Sequence, residues 1–476
     1  MDLALRSLVL ASLAALCGCS DTDAKQDTSA DSTGSGDADP QMTTEPGSAA
    51  DATESHGGAE DSGTTGHHDT TANPGTATTQ TTSPTTDGSG SDSSTDSDSG
   101  SSTDTGDDTS VPDLQCEAGL EQCYPGAVDI PGAQAHQILL TDLNADTHLD
   151  AVFTYDTGVS FFLGDGTGSL VQSDVIPTGP TQSPLYIAAG DLDADGTMDV
   201  AFSVGSTNTP HVVIAFGAGD GTVASQVEYG LIGSASGIVL ADFDDDGDLD
   251  IAAGDREFGT IGVRLNDGAG SMGAQTSYPL AGLMVVVKLG AADVDANGTL
   301  DVYAGATSAG VVVLPGLGDG TFDAAAVHTL DMGGTINAPV FVDIEGDGDL
   351  DLIAGRRVSD SQLVIRRGDA GGVLGETQFP FSTGGGDPEW PHVADFDKDG
   401  ALDVAVLNLL NPRNLAVLRG DGLGALHDPV ILQTYPQGIP QHVVAGDLNE
   451  DGVPDLVVGV IGTGVPNSVQ VHLSNP

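Results

Sequence analysis

Short apolar runs separated by polar turns recur from about residue 137 to the C-terminus. Ile187-Ala188-Ala189 and Val443-Val444-Ala445 each precede a polar nonapeptide, while Val404-Ala405-Val406 and Leu456-Val457-Val458 each follow one. A third run comes about ten residues later, as in Val212-Val213-Ile214-Ala215-Phe216, Val311-Val312-Val313-Leu314, Leu363-Val364-Ile365 and Val469-Gln470-Val471. Runs this short, rich in branched residues and bounded by turn signals, predict strands rather than helices. A Gly-Asp-Gly turn then follows (Gly219-Asp220-Gly221, Gly318-Asp319-Gly320, Gly420-Asp421-Gly422), and a weaker fourth strand leads into the next unit.

The nonapeptides are DLNADTHLD (142–150), DLDADGTMD (191–199), DFDDDGDLD (242–250), DVDANGTLD (293–301), DIEGDGDLD (343–351), DFDKDGALD (395–403) and DLNEDGVPD (447–455). Their first residues are 49, 51, 51, 50, 52 and 52 apart. A sustained period of this size marks a repeat architecture. Four antiparallel strands per unit, repeated seven times, predict an all-β fold: a seven-bladed β-propeller of four-stranded blades. The seventh unit stops at His472-Leu473-Ser474-Asn475-Pro476, after its third strand. The stretch Cys123 to Ile130 occupies the place of a fourth strand before the first nonapeptide. It is expected to complete the last blade and so cover an open sheet edge.

Oxygen-bearing side chains recur at positions 1, 3, 5 and 9 of each nonapeptide, usually with Gly at 6. They are Asp142, Asn144, Asp146 and Asp150; Asp191, Asp193, Asp195 and Asp199; Asp242, Asp244, Asp246 and Asp250; and Asp293, Asp295, Asn297 and Asp301. The later units carry Asp343, Glu345, Asp347 and Asp351; Asp395, Asp397, Asp399 and Asp403; and Asp447, Asn449, Asp451 and Asp455. Converging hard oxygens suit Ca2+, which takes six to eight of them, so up to seven calcium sites are expected. An EF-hand would need Glu at position 12, where Phe153, Phe202, Ala253, Ala304, Ala354, Val406 and Val458 stand instead. Turn formation by Asp, Asn and Gly alone is the plainer reading of any single loop. Thr147, Glu345 and Pro454 depart from the pattern.

Composition adds an address and a spacer. The chain has 71 Asp and Glu against 12 Lys and Arg, for a net charge of −59, which excludes nucleic acid as a partner. Met1 to Cys19 holds one Arg and an apolar stretch too short to span a bilayer, and reads as a secretory signal. Leu16-Cys17-Gly18-Cys19 resembles the lipobox of bacterial lipoproteins, which implies cleavage after residue 18, a lipid on Cys19 and an outer-membrane address. Residues 19–113 are almost all Ser, Thr, Asp, Gly, Ala and Pro, with Lys25 the only cation, and predict a disordered linker. Such a linker spans roughly 50–60 Å r.m.s.. The third segment, 114–476, is the propeller. In an exported chain Cys116 and Cys123 are expected to pair as a disulfide.

The repeats resemble the FG-GAP/VCBS repeats of bacterial exported proteins and of the integrin α-subunit propeller. That resemblance implies calcium loops on one face and ligands held on the other. The position five residues before each nonapeptide holds Gln137, Tyr186, Gly237, Lys288, Ala338, Trp390 and His442. This diversity marks Tyr186, Lys288, Trp390 and His442 as candidate ligand contacts at the start of the innermost strands. The expected function is a monomeric, lipid-anchored, calcium-binding head displaying a surface for a protein or glycan. The alternatives are a polysaccharide hydrolase or lyase built on a propeller, or a purely structural envelope protein. No nucleophile elbow, metalloprotease helix or phosphate loop appears in the sequence.

Overall fold

Second strands are buried almost from end to end, and apolar between their terminal residues for the most part, because both of their faces are covered. Asp199–Gly205 and Asp250–Asp255 are buried almost throughout, whereas the fourth strand Val223–Gly230 is mostly exposed. A sheet sandwiched between two others loses the simple in–out alternation of a sheet that is wet on one side. The computed structural model describes residues 120–130, 133–205, 210–231, 235–255, 258–280, 286–306, 310–336, 338–357, 361–369 and 371–475.

These residues form seven antiparallel sheets. Blade 1 runs Gln137–Thr141, Asp150–Tyr155, Gly158–Gly164 and Leu170–Pro177, in sequence order. Blades 2 to 6 repeat that order, with first strands Ser183–Gly190, Ala235–Ala241, Val286–Ala292, the pair Thr335–Ile336 and Val340–Val342, and Gly386–Ala394. Blade 7 begins with Gly438–Gly446. First strands of blades 7, 1, 2, 3 and 4 pack side by side, as do those of blades 5, 6 and 7. They therefore surround the axis of the ring. Blade 5 has its first strand broken before Pro339, which has no N–H to give a ladder.

Apolar clusters fill the wedges between blades. Between blades 1 and 2, Val152, Phe161, Phe202 and Val213 are all buried. Burying one such side chain contributes about 1.5–3 kcal/mol. The ring is held by these seams.

Closure follows the expected route. Ala127–Ile130 pairs antiparallel with Ser468–His472, from Ala127 opposite His472 to Ile130 opposite Val469. Just upstream, the Tyr124 hydroxyl donates to Pro454 O at 2.6 Å, and Asn475 N donates to Cys123 O at 2.7 Å. Leu120, Cys123 and Tyr124 are buried with Leu407, Tyr435 and Val458 of blades 6 and 7. Cys123 is disulfide-bonded; its expected partner Cys116, like the signal and linker, lies outside the described residues.

Removing residues 1–115 should leave the melting temperature of the ring unchanged. Removing 1–132 takes away Leu120, Tyr124, Ile130 and the closing strand, so a loss of several kcal/mol and aggregation through the open edge are expected. Thermal melts and light scattering of the two truncations check this, and equal behaviour would refute closure by this strand.

Candidate functional site

All seven acidic loops connect the first and second strands of their blades, and so share one face of the ring. Each is anchored by its ninth residue. Asp150, Asp199, Asp250, Asp301, Asp351, Asp403 and Asp455 are at most 1 % exposed. In each, Oδ2 accepts from the backbone N–H of the loop's second residue: Leu143, Leu192, Phe243, Val294, Ile344, Phe396 and Leu448. Oδ1 accepts from an N–H at or just beyond the end of the third strand: Gly164, Gly217, Asn266, Gly316, Gly368, Gly420 and Ser474. All fourteen distances lie between 2.6 and 3.0 Å. The sequence marks position 9 as one more cation ligand; in the structure it is first a clamp between loop and third strand.

Burial raises these clamp carboxyls, and the backbone donors only partly oppose it. Asp403 is pushed up to about 7, and Asp199, Asp250 and Asp455 to about 6. A carboxyl raised in the folded state contributes stability at low pH that is lost as pH climbs through its folded value. Without a cation, these four aspartates therefore favour the fold less at pH 7.5 than at pH 5.

The other oxygens shape the loop. The Asp at position 1 accepts through Oδ2 from the N–H of position 6, from Thr147 in loop 1 to Gly452 in loop 7. Position 5 accepts from the N–H of position 7 in all seven loops. Positions 4 and 6 are both left-handed. Ala145, Ala194, Asp245, Ala296, Lys398 and Glu450 carry φ of 55–59° at position 4, and Thr147 sits at φ 76° where the other loops place Gly. Gly346 takes position 4 in loop 5 at φ 72°, so apart from that loop only the Gly at position 6 betrays this backbone in the sequence.

Four loops fit a divalent cation. One oxygen from each of Asp191, Asp193 and Asp199 lies within 4.8 Å of the others. The same holds for Asp242, Asp244 and Asp246, for Asp293, Asp295 and Asp301, and for Asp395, Asp397 and Asp399. Within them Asp193 Oδ1, Asp244 Oδ1 and Asp395 Oδ1 are buried without a hydrogen-bond partner. Bare carboxylate oxygens held together repel one another, and a hard cation would neutralise them.

Loops 1, 5 and 7 instead bring internal donors. Glu345 of loop 5 pairs with Arg367 Nε at 3.1 Å. Asn144 Nδ2 donates to Asp146, and Asn449 Nδ2 to Asp451, each at 2.9 Å. His148 Nδ1 meets Glu450, tying loop 1 to loop 7, and Lys398 Nζ donates to Asp451 O at 2.9 Å, tying loop 6 to loop 7. The Arg-Gly-Asp tripeptides at 367–369 and 419–421 have their arginines turned onto acidic loops, Arg367 onto loop 5 and Arg419 onto loop 6, 3.6 Å from Asp397.

Neighbouring blades also latch onto the loops. Gly168 N donates to Leu448 O at 2.8 Å, Gly320 N to Phe243 O at 2.9 Å, and Asn266 Nδ2 to Leu192 O at 2.8 Å. In each case the third-to-fourth-strand turn of one blade grips the second residue of the preceding blade's loop.

The candidate ligand residues lie deeper than the sequence suggests. Tyr186, Trp390 and His442 fall in mid-strand, in Ser183–Gly190, Gly386–Ala394 and Gly438–Gly446. A register shift marks this position in blades 2, 3, 4, 6 and 7. Such bulges re-aim a side chain, and period-two reasoning cannot see them. Trp390 (φ 56°) and His442 are 6 % and 5 % exposed, with ring centroids 4.5 Å apart. Tyr186 lies 6.3 Å from Trp390, and Lys288 Nζ stands 5.4 Å from the Trp390 ring centre. Ala338 packs in the same core as Trp390 and Tyr186, and Gly237 lies against Lys288. Sequence reasoning missed His392, whose signal was its place two residues after Trp390 on the same strand.

Replacing Asp403 by Asn leaves one donor facing a buried N–H, and unpaired buried groups cost about 1–3 kcal/mol each. Asp403→Asn should lower the melting temperature and flatten its change between pH 5 and pH 7.5 in metal-free protein. Melts of both proteins at the two pH values check this; an unchanged pH slope would remove Asp403 from the account.

The FG-GAP-like repeat family matches residues 142–202, 242–304, 293–354, 346–406 and 395–458, more than half of the chain. No curated protein matches it in sequence. Among solved structures it is similar to BBS1N in complex with ARL6DN, at 11% identity over 74% of this chain and 97% of that chain, with a TM-score of 0.49. It is also similar to an Agrocybe aegerita lectin that recognises non-reducing terminal N-acetylglucosamine, at 18% identity over 71% of this chain and 94% of that chain, with a TM-score of 0.44. The chain therefore belongs to the FG-GAP-like repeat family, folded as a seven-bladed β-propeller.

Proposed function

We propose that this chain is a calcium-stabilised recognition head, exported and held at the cell envelope by a lipid on Cys19 through a flexible linker. The observation that carries the calcium reading is the set of converging carboxylate oxygens in loops 2, 3, 4 and 6, of which one in each of loops 2, 3 and 6 is buried without a partner. Asp191, Asp193 and Asp199, and the three aspartates grouped in each of the other loops, would hold the ions. Bound calcium supplies charge neutralisation there and no redox or covalent chemistry.

With the acidic face given over to the loops, the opposite face is left for a protein or glycan. Its connections expose Phe258 at 62%, Leu410 at 50% and Val465 at 43%. Exposed apolar residues are common singly. Here three stand on second-to-third-strand connections of one face, which supports a partner surface there. The head acts as a monomer, and nucleic acid has no place on a chain of net charge −59.

Calcium removal is the direct test. A site filled at ten times its dissociation constant gains about 1.4 kcal/mol, so four sites gain roughly 5–6 kcal/mol. That rivals the roughly 5–15 kcal/mol stability of a whole domain. Affinities of about 10⁻⁴ to 10⁻³ M are expected for exported modules. Millimolar calcium should raise the melting temperature by roughly 10 °C over chelator-treated protein, and superimposable curves would defeat the calcium reading.

Anchoring has its own test. Cys19→Ala should move the protein from the membrane fraction to the soluble fraction, while Cys17→Ala should leave it membrane-bound. A Cys19→Ala protein that still sediments with membrane would overturn the lipid assignment.

A further inference from the structure

The most unusual group in the ring is a cation. The chain has only 12 Lys and Arg, and one of them, Lys288, sits at a bulge of a first strand, beside the axis. Its Nζ lies 5.4 Å from the Trp390 ring centre. That contact is worth about 0.5–2 kcal/mol, well short of what a desolvated ammonium ordinarily requires. Two imidazoles share the space: His442 packs edge-on to Trp390 at 4.5 Å, and Lys288 acts electrostatically on both His392 and His442. Among the described residues no carboxylate is paired with Lys288. In a protein with 71 acidic residues, a basic cluster with no acid of its own is a deficit that an incoming anion would fill.

We propose that the centre of the ring binds a small organic carboxylate, with Lys288 as its counter-charge and Tyr186 and His392 as neighbours to the rest of the molecule. This deepens the recognition-head reading by giving its ligand a chemical class. Trp390 is not a stacking platform in this site, because Lys288, His442 and Tyr186 already surround its ring. It holds the lysine in place. Nor is His442 free to grip a ligand through Nδ1, which accepts from Ile138 N at 3.2 Å. Lys288 and His392 lie deep in the ring, yet each keeps part of its surface open to solvent.

The protonation states agree with this assignment. Burial lowers Lys288 to about 8, which leaves it mostly charged at neutral pH. Burial and the lysine charge lower His392 to about 3 and push His442 well below the ordinary imidazole value, so both stay neutral. A site with one cation among neutral hydrogen-bonding groups favours a monoanion. An ammonium–carboxylate contact in such a place is a charge-assisted hydrogen bond, stronger than a neutral one.

The protein carries its own reporter, since Trp390 is the only tryptophan in the chain. The calcium-loaded full chain is titrated at pH 7 with sodium acetate, sodium glucuronate, sodium phosphate and glucose, while tryptophan emission and, separately, calorimetric heat are followed. A saturable change with acetate or glucuronate, and none with glucose, is expected. Lys288→Met should weaken carboxylate binding at least tenfold at an unchanged melting temperature, and Lys288→Arg should keep most of it. If Lys288→Met fails to fold, Lys288→Arg and calorimetry on the unaltered chain still decide. No saturable carboxylate response, equal binding by Lys288→Met, or phosphate binding in place of carboxylate would each overturn the proposal. Calcium dependence of melting with no carboxylate response leaves the recognition-head reading standing and removes only this site; the converse leaves the site and removes the calcium.

Discussion

A carboxylate buried where it can accept two backbone hydrogens is the constraint on which this ring is built. The ninth residue of each acidic loop bridges the second loop residue and the end of the third strand. In loops 3 and 6 the first, third and fifth side chains then converge, and in loops 2 and 4 the first and third converge with the ninth. The same bridge sets the second residue's carbonyl where the next blade can reach it. One side chain per repeat thus couples strand, loop and neighbouring blade. Its electrostatic cost recurs seven times, which explains why the loops gather so many compensating donors. A cation would be the most effective of these, because it lowers the cost for the whole loop at once.

Much of this fold could be read from the chain because a ring of equivalent wedges demands equivalent residues. The near-constant period, the buried second strands and the missing fourth strand of blade 7 all left direct marks. Closure by Ala127–Ile130 was legible for a simple reason: an incomplete blade has an edge, and something must cover it. The candidate site was legible only in part. Position 9 looks like any other acidic ligand in the sequence, yet its two oxygens face backbone donors. Position 4 is left-handed with Ala, Asp, Lys or Glu in six loops and a glycine, Gly346, only in the fifth, so little in the sequence marks it. Arg367 lies more than twenty residues from Glu345, and nothing local pairs them. The depth of Trp390 and His442 depended on bulges, which shift a strand by one residue without altering its composition.

The few basic residues are placed at joints. Arg264 donates to Gly230 O and Gly273 O at 2.6 Å, Lys398 reaches from loop 6 to loop 7, and Arg367 answers Glu345. In a molecule this acidic, each cation at a seam relieves repulsion between blades as well as making its own bond. Lys288 differs from these three: among the described residues it is paired with no acid, and its Nζ faces the Trp390 ring.

Closure through the N-terminal strand also decides how the ring meets a mechanical load. A pull on the chain ahead of residue 120 does not arrive first at the hydrogen-bonded edge. It meets the disulfide-bonded Cys123, the Tyr124 hydroxyl on Pro454 and the bond from Asn475 to Cys123 before it reaches Ala127. The tension is divided between blade 7's acidic loop, the last residues of the chain and the blade 6–7 core, so the closing strand is shielded from being peeled away one bond at a time. A ring loaded through its N-terminal end would resist opening by sharing strain among these anchors, and the seam that makes the ring circular need not be its weakest point.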